Sequence, residues 1–175
     1  RSTPTSLAFG YVVQPGDNDS NGIAVGNSIA LPTGAAVTDG AGNRAILVIR
    51  PPALTAVRVD TSSPTVTSVA VPMAKTYRAG EAIDFKLAFS EPVQVTGTPA
   101  LAVVIGSSVR SAAFVGFAPG TGNRSLVFRT IPIAGDVDTD GMTVSRTMVL
   151  DDAVVTDSVG NRFNGSLPEF DARDR

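Results

Sequence analysis

Two short acidic segments have the residue types and the spacing of a cation-binding loop. Gly135 to Gly141 reads G-D-V-D-T-D-G, and Gly16 to Gly22 reads G-D-N-D-S-N-G. Oxygen-bearing side chains at every second position can surround one small volume, which is the opening half of a calcium loop. The same residue types also form tight turns whose side chains accept backbone N–H groups. The sequence leaves both interpretations open.

The calcium interpretation needs more oxygens than either loop supplies, since Ca²⁺ takes about six to eight. A Glu at loop position twelve would indicate an EF-hand, but Thr147 and Ser28 stand there. Further ligands would come from backbone carbonyls, water or a second acidic motif. Asp60 with Glu91 or Glu81 is a second candidate cluster, unless Asp60 is simply solvated. The predicted metal ligands are Asp17, Asp19, Asn21, Asp39, Asp136, Asp138, Asp140 and Asp157, together with Asp60 and Glu91.

Both loops lie within a longer internal repeat. Leu7-Ala8-Phe9 precedes the first loop as Leu126-Val127-Phe128 precedes the second, at an offset of 119 (136 − 17). Downstream, Val37 to Arg44 matches Val155 to Arg162 at an offset of 118 (157 − 39). A period of this length corresponds to a whole small domain rather than to a solenoid unit.

The repeat predicts one complete unit and part of another. Residues 1–60 match only the second half of the unit, so we assign them to the C-terminal half of a repeat. We expect a short polar linker at 61–64, closed by Pro64, and a complete unit over 65–171. Residues 172–175 form a predicted tail. Because the chain starts within a repeat, we expect any targeting segment to lie outside it.

Strand patterns dominate the complete unit. Ile83 to Phe89 alternates apolar and polar residues, and similar short segments follow between Gly, Pro, Asn and Asp. No segment sustains the spacing of an amphipathic helix. About seven short strands in a unit of this size predict an all-β fold, an immunoglobulin-like β-sandwich.

Composition excludes several functional classes. The net charge is −2, and the only lysines are Lys75 and Lys86, so nucleic-acid binding is not expected. No apolar run approaches the roughly 18 residues of a membrane helix. The chain has no His and no Cys, which removes Ser-His-Asp and Cys-His catalysis. A paired-carboxylate hydrolase stays formally open, with the loop aspartates as its candidates. Those aspartates lie in repeated turns and not in an evident cleft, and we predict that the chain is not an enzyme.

Several blocks in order resemble the bacterial immunoglobulin-like repeats of large surface proteins and adhesins. They are T-Y-R-A-G-E-A-I from Thr76, F-S-E-P-V-Q-V-T-G-T-P-A-L from Phe89, the two acidic loops, and the D-x-x-G-N motifs at Asp39 and Asp157. The resemblance implies tandem extracellular domains that act as spacers, stalks or filaments, often stiffened by calcium, without catalytic activity. The end of the chain departs from it, since the segment from Phe170 to Arg175 lacks the junction proline.

The leading prediction is thus a non-enzymatic structural segment of an extracellular, cell-surface protein, stabilised by calcium. The expected partners are neighbouring repeats or copies of the same chain, joined by strand complementation, and a host or cell-surface ligand. The alternative is a β-sandwich module that binds carbohydrate or another ligand. That alternative needs aromatic platforms, and the chain has no tryptophan and only Tyr11 and Tyr77.

Overall fold

The computed structural model describes residues 5–170 of the chain. It divides into two units, Arg1–Ser62 and Ser63–Arg175. The predicted tail at 172–175 lies outside the described residues. Within the described range every regular element is a strand, so the predicted all-β class is confirmed. No helix in this range is long and apolar enough to cross a membrane.

The second unit holds all eight strands of the described residues, and all their pairings are antiparallel. Six of them form one sheet in the order β1-β2-β6-β5-β4-β7, and β3 pairs with β8 separately. The strands are β1 Val66–Ala70, β2 Ile83–Phe89, β3 Gln94–Thr96, β4 Ala100–Ile105, β5 Ser108–Phe117, β6 Ser125–Thr130, β7 Thr143–Val149 and β8 Val154–Thr156.

Strand β2 shows why this sheet forms. Its apolar side chains fall at every second position and are all buried: Ile83, Phe85, Leu87 and Phe89. Lys86, on the opposite face, is exposed, as the alternation predicts. Both sheets contribute to one core, in which Val155 of β8 packs in the same cluster as the β2 side chains.

Two details of the strands were not evident from the sequence. The short strand β3, Gln94–Thr96, pairs with β8 and was not among the predicted strands. Strand β6 ends at Thr130 rather than at Ile133. Pro132 explains the early end, because proline cannot donate to a strand ladder.

The first unit is built differently. Between residues 5 and 62 it has isolated β-bridges and turns but no strand, and no residue in that range is buried. Phe9 is 74% exposed and Leu7 is 56% exposed. Large apolar side chains in this unit therefore lie on the surface, without a core of their own.

Candidate functional site

The second acidic loop is a turn closed by its own aspartates. Asp136 accepts the N–H of Ile133 at 2.9 Å, and Asp138 Oδ1 accepts the N–H of Gly141 at 2.6 Å. Gly141 has a φ of 96°, in the left-handed region that favours glycine. These contacts are those of the turn interpretation, in which Asp side chains satisfy nearby backbone donors.

Asp136 is also held by a guanidinium. Arg110 on β5 donates from both Nε and Nη2 to the Asp136 carboxylate, and that carboxylate is only 2% exposed. The hydrogen bonds from Arg110, followed by the one from Ile133, lower the pKa of Asp136. A cation placed at this carboxylate would meet the positive charge of Arg110, so the contact opposes metal binding there.

Asp138 receives a donor from the β4–β5 turn. Its Oδ2 accepts the N–H of Gly106 at 2.7 Å. Gly106 has a φ of 57°, and a Cβ at this position would lie 2.0 Å from the carbonyl oxygen of Val137. Only glycine fits such a close approach, so Gly106 is a structural requirement for the contact between the turn and the loop.

Sequence reasoning did not identify Arg110 or Gly106. Their contacts show that the acidic loop connects the two halves of the second unit. The first half of the unit donates hydrogen bonds to Asp136 and Asp138 in the second half, which joins the two halves at this end. The Gly106-Ser107 pair predicts a hairpin turn. Nothing in the sequence says which loop that turn would meet.

The D-x-x-G-N motif forms a second closed turn around Asp157. Its carboxylate accepts four N–H donors at 2.7 to 2.9 Å: the backbone groups of Val159, Gly160 and Asn161, and the Asn161 side chain. Burial of Asp157 by itself would raise its pKa, but the hydrogen bonds, led by the Asn161 side chain, outweigh it and lower the pKa. Asp157 is thus a buried carboxylate that stays ionised.

Glu91 lies close to Asp157. A carboxylate oxygen of each is within 4.8 Å of the other. Two carboxylates at this spacing offer the hard oxygen ligands that calcium accepts, although they supply only part of its coordination shell. Of the predicted metal ligands in the second unit, the structure therefore brings Glu91 and Asp157 together.

The first unit repeats these turns with the same hydrogen bonds. Asp17 accepts the N–H of Gln14 at 2.7 Å, and Asp19 accepts the N–H of Gly22 at 2.8 Å. Asp39 accepts the backbone and side-chain N–H groups of Asn43. The bridges repeat as well: Ser28↔Val48 corresponds to Thr147↔Ser166, and Thr38↔Arg44 corresponds to Thr156↔Arg162.

The two copies differ in what surrounds the carboxylates. The side-chain donor to Asp17 is the neutral hydroxyl of Tyr11 at 2.8 Å, whereas its counterpart Asp136 has the Arg110 guanidinium. Asp39 is exposed, whereas its counterpart Asp157 is buried. Hydrogen bonds from the backbone of Gln14 and from Tyr11 lower the pKa of Asp17.

Two of the remaining predicted ligands are exposed to solvent. Asp140 and Asn21 are exposed members of their loops. Asp60 lies in the first unit, where its carboxylate accepts the N–H of Ser62 at 3.0 Å. The expectation of a shared site between Asp60 and Glu91 or Glu81 stays a prediction. Glu81 accepts the N–H of Arg78 and pairs with Lys75.

An open pocket of about 290 Å³ lies beside the second acidic loop and includes Asp136, Asp138 and Met142 in its lining. Tyr77 is its one aromatic lining residue, and the Lys75 ammonium lies 4.5 Å from the centre of that ring. A sugar ring stacking on Tyr77 would have to displace this cation.

Comparison of the chain with known protein families, with curated proteins and with solved structures finds no match. The geometry of the two units is therefore the ground on which a function is proposed.

Proposed function

We propose that this chain is a non-enzymatic structural segment built from tandem immunoglobulin-like repeats, acting as a spacer or stalk in an extracellular surface protein. The observation that carries the proposal is the repeated local structure. Turns, side-chain hydrogen bonds and bridges recur in both units at the offsets of the sequence repeat. A chain that copies one domain-sized unit along its length becomes longer with each copy, as a spacer requires.

The immunoglobulin-like architecture is part of this proposal. Antiparallel strands in two sheets share one core in the second unit, which is consistent with a β-sandwich. The polar residues of the acidic loops satisfy backbone donors and ion pairs within the fold. These side chains therefore stabilise the turns of the fold rather than form a catalytic site.

Calcium stabilisation belongs to the same proposal. Glu91 and Asp157 would supply carboxylate oxygens to such an ion. The first acidic loop, with Asp17, Asp19 and Asn21, is the better loop candidate because its donor is the Tyr11 hydroxyl and not a guanidinium. Calcium in these places would hold turns that the fold already forms.

The ligand-binding alternative has less support. The pocket beside the second loop is open, is lined by a single aromatic residue, and has that residue already in contact with Lys75. Recognition of a carbohydrate or other small ligand usually needs a well-formed apolar cleft with convergent polar groups.

Force spectroscopy on the full chain, held at its two ends, tests the spacer proposal. We expect residues 63–170 to resist force and then unfold in one event that releases about 350–390 Å of chain, at roughly 3.3–3.6 Å per residue. Gradual extension without a distinct event contradicts the proposal. A glycan or small ligand that raises the unfolding force favours the binding module instead.

A further inference from the structure

The exposed apolar residues of the first unit occupy core positions of the repeat. Leu7 and Phe9 correspond to Leu126 and Phe128, both fully buried, and Val25 corresponds to Val144, which is 7% exposed. Val25 itself is 49% exposed. The two copies have equivalent sequences and form the same local turns and bridges. The apolar residues differ in burial because strands pack against them in the second unit and not in the first.

The second unit shows what packs there. Strand β6, which carries Leu126 and Phe128, lies between β2 and β5. Strand β7, with Val144, pairs with β4, and β8 pairs with β3. Every strand of the second half is thus paired with a strand from the first half of the same unit. In residues 5–62 the corresponding segments have no such neighbours within their own unit.

The polar contacts of the second unit also join its second half to its first half. Asp136 and Asp138 are held by Arg110 and Gly106, which both belong to the first half of the second unit. Their counterparts in the first unit are Asp17 and Asp19. An incoming half repeat would bring an arginine to Asp17 and a glycine N–H to Asp19, so charge and hydrogen bonding match as well as apolar surface.

We propose that residues 7–49 form an acceptor surface for a half repeat with the sequence pattern of residues 63–125. This half repeat inserts its counterpart of β2 and its counterpart of β5 on either side of residues 7–12 and places its arginine on Asp17. The inference rests on the proposed repeat architecture and names the partner that completes it. The mode of binding is strand addition to open sheet edges.

A second intact copy of this chain is a poorer occupant. Its own residues 63–125 already pair with its residues 126–167 through β6, β7 and β8. If these residues paired with another molecule, one set of strand pairs would be broken for each set formed, and the buried area would not increase. A half repeat whose own partner strands are not engaged gains the whole interface.

The test replaces Arg1 to Ser6 of the full chain by a second copy of residues 63–125. The register matches, since Ser125 precedes Leu126 as Ser6 precedes Leu7. Hydrogen exchange at residues 7–12 is the readout. We expect exchange near the unprotected rate in the parent chain and exchange slower by at least about a hundredfold in the extended chain.

Two control variants sharpen the test. Arg110→Glu in the added copy alone is expected to reduce the protection, and Asp17→Arg in the same chain is expected to restore part of it. A chain with two complete units, in which residues 126–170 replace residues 7–52 of the extended chain, shows that the added half can fold. Protection in that chain, without protection of residues 7–12 in the extended chain, overturns the proposal.

Two outcomes in the parent chain also overturn it. Protected amides at residues 7–12 in a monomer mean that the first unit needs no partner. Protected amides in a dimer or larger species of the parent chain mean that a second copy is the occupant. Either result leaves the force measurement on residues 63–170 unaffected, so failure of this inference and failure of the spacer proposal are distinguishable.

Discussion

Phe9 and Phe128 hold equivalent positions in the repeat, yet the Phe128 side chain is fully buried whereas Phe9 is 74% exposed. Phe128 is the register partner of Phe85 on β2 and of Phe114 on β5, and its ring centre lies 5.9 Å from that of Phe114. The same residue type in the same repeat position is thus a core residue in one unit and a surface residue in the other.

This difference predicts unequal mutational costs. Phe128→Ala should reduce the free energy of unfolding of the second unit by about 3–5 kcal/mol, through lost burial and the cavity left behind. Phe9→Ala, its matched control, should change stability little in the chain as it stands. Urea unfolding measures both. Equal costs would show that Phe9 is packed in solution.

Leu87 tests the register of β2. Leu87→Ala should destabilise by about 2–5 kcal/mol, because its side chain is fully buried in the core. Lys86→Ala, one residue away on the exposed face, should stay within about 0.5 kcal/mol of the wild type. Thermal unfolding gives both values, and the reverse order would mean that the strand faces are exchanged.

The sequence pattern predicts the structure of this strand, but it does not predict the contacts of the acidic loops. The alternation from Ile83 to Phe89 predicts both the strand and its buried face because the side-chain period of a strand is two. The acidic loop gives no such information. Whether Asp136 binds a metal or an arginine depends on Arg110, which lies 26 residues earlier and reaches it only through the sheet.

The repeat is readable from the sequence, and so is one consequence for burial. Matching Leu7 and Phe9 to Leu126 and Phe128 indicates that residues 1–60 are half a unit, and half a sandwich is expected to leave its apolar strand faces open to water. No residue from 5 to 62 is buried, which is consistent with that expectation.

Substitution of Gly106 by alanine is expected to destabilise the second unit more than a glycine substitution that adds backbone strain alone. Gly106→Ala combines a left-handed φ with a Cβ placed 2.0 Å from the Val137 carbonyl oxygen. Gly80→Ala is the matched control: its φ is 88°, but nothing lies within 4 Å of the added Cβ. The control should show backbone strain alone, roughly 1–2 kcal/mol. Gly106→Ala should cost clearly more.

Calorimetry of the two alanine variants measures the comparison. Similar melting temperatures for Gly106→Ala and Gly80→Ala would mean that the loop moves away from the turn without cost. In that case the hydrogen bond from Gly106 to Asp138 contributes little to stability.

Asp157 predicts a loss of stability in acid. Its pKa is lowered in the folded protein, so its contribution is present above the ordinary Asp pKa of about 3.9 and is lost as the pH falls through the folded value. Unfolding free energy should therefore decline as the pH falls below about 5. Asp157→Asn should lower stability at pH 7 by about 1–3 kcal/mol and weaken this decline.

Asp140→Asn is the control for the pH experiment, since Asp140 is an exposed carboxylate of the same unit. Urea unfolding of the second unit at pH 7 and at pH 3 gives the comparison. An Asp157→Asn variant whose stability changes with pH as steeply as the wild type would show that the acid sensitivity comes from other carboxylates.

Calcium is expected to raise stability if the oxygen clusters bind it. A ligand that binds only the folded state stabilises it by about 2.7 kcal/mol at a free concentration of one hundred times Kd. Thermal unfolding in excess EDTA and in millimolar calcium measures this, with magnesium as the ion control because it resists giving up its water ligands.

Variants assign the calcium site. Glu91→Gln should remove the shift if the ion binds with Asp157, and Asp17→Asn should remove it if the first acidic loop binds. Asp136→Asn should leave the calcium-dependent shift in place, because the Arg110 guanidinium already neutralises that carboxylate. Identical melting curves with and without calcium would instead show that both loops and the Asp157 motif are turns that the ion does not stabilise.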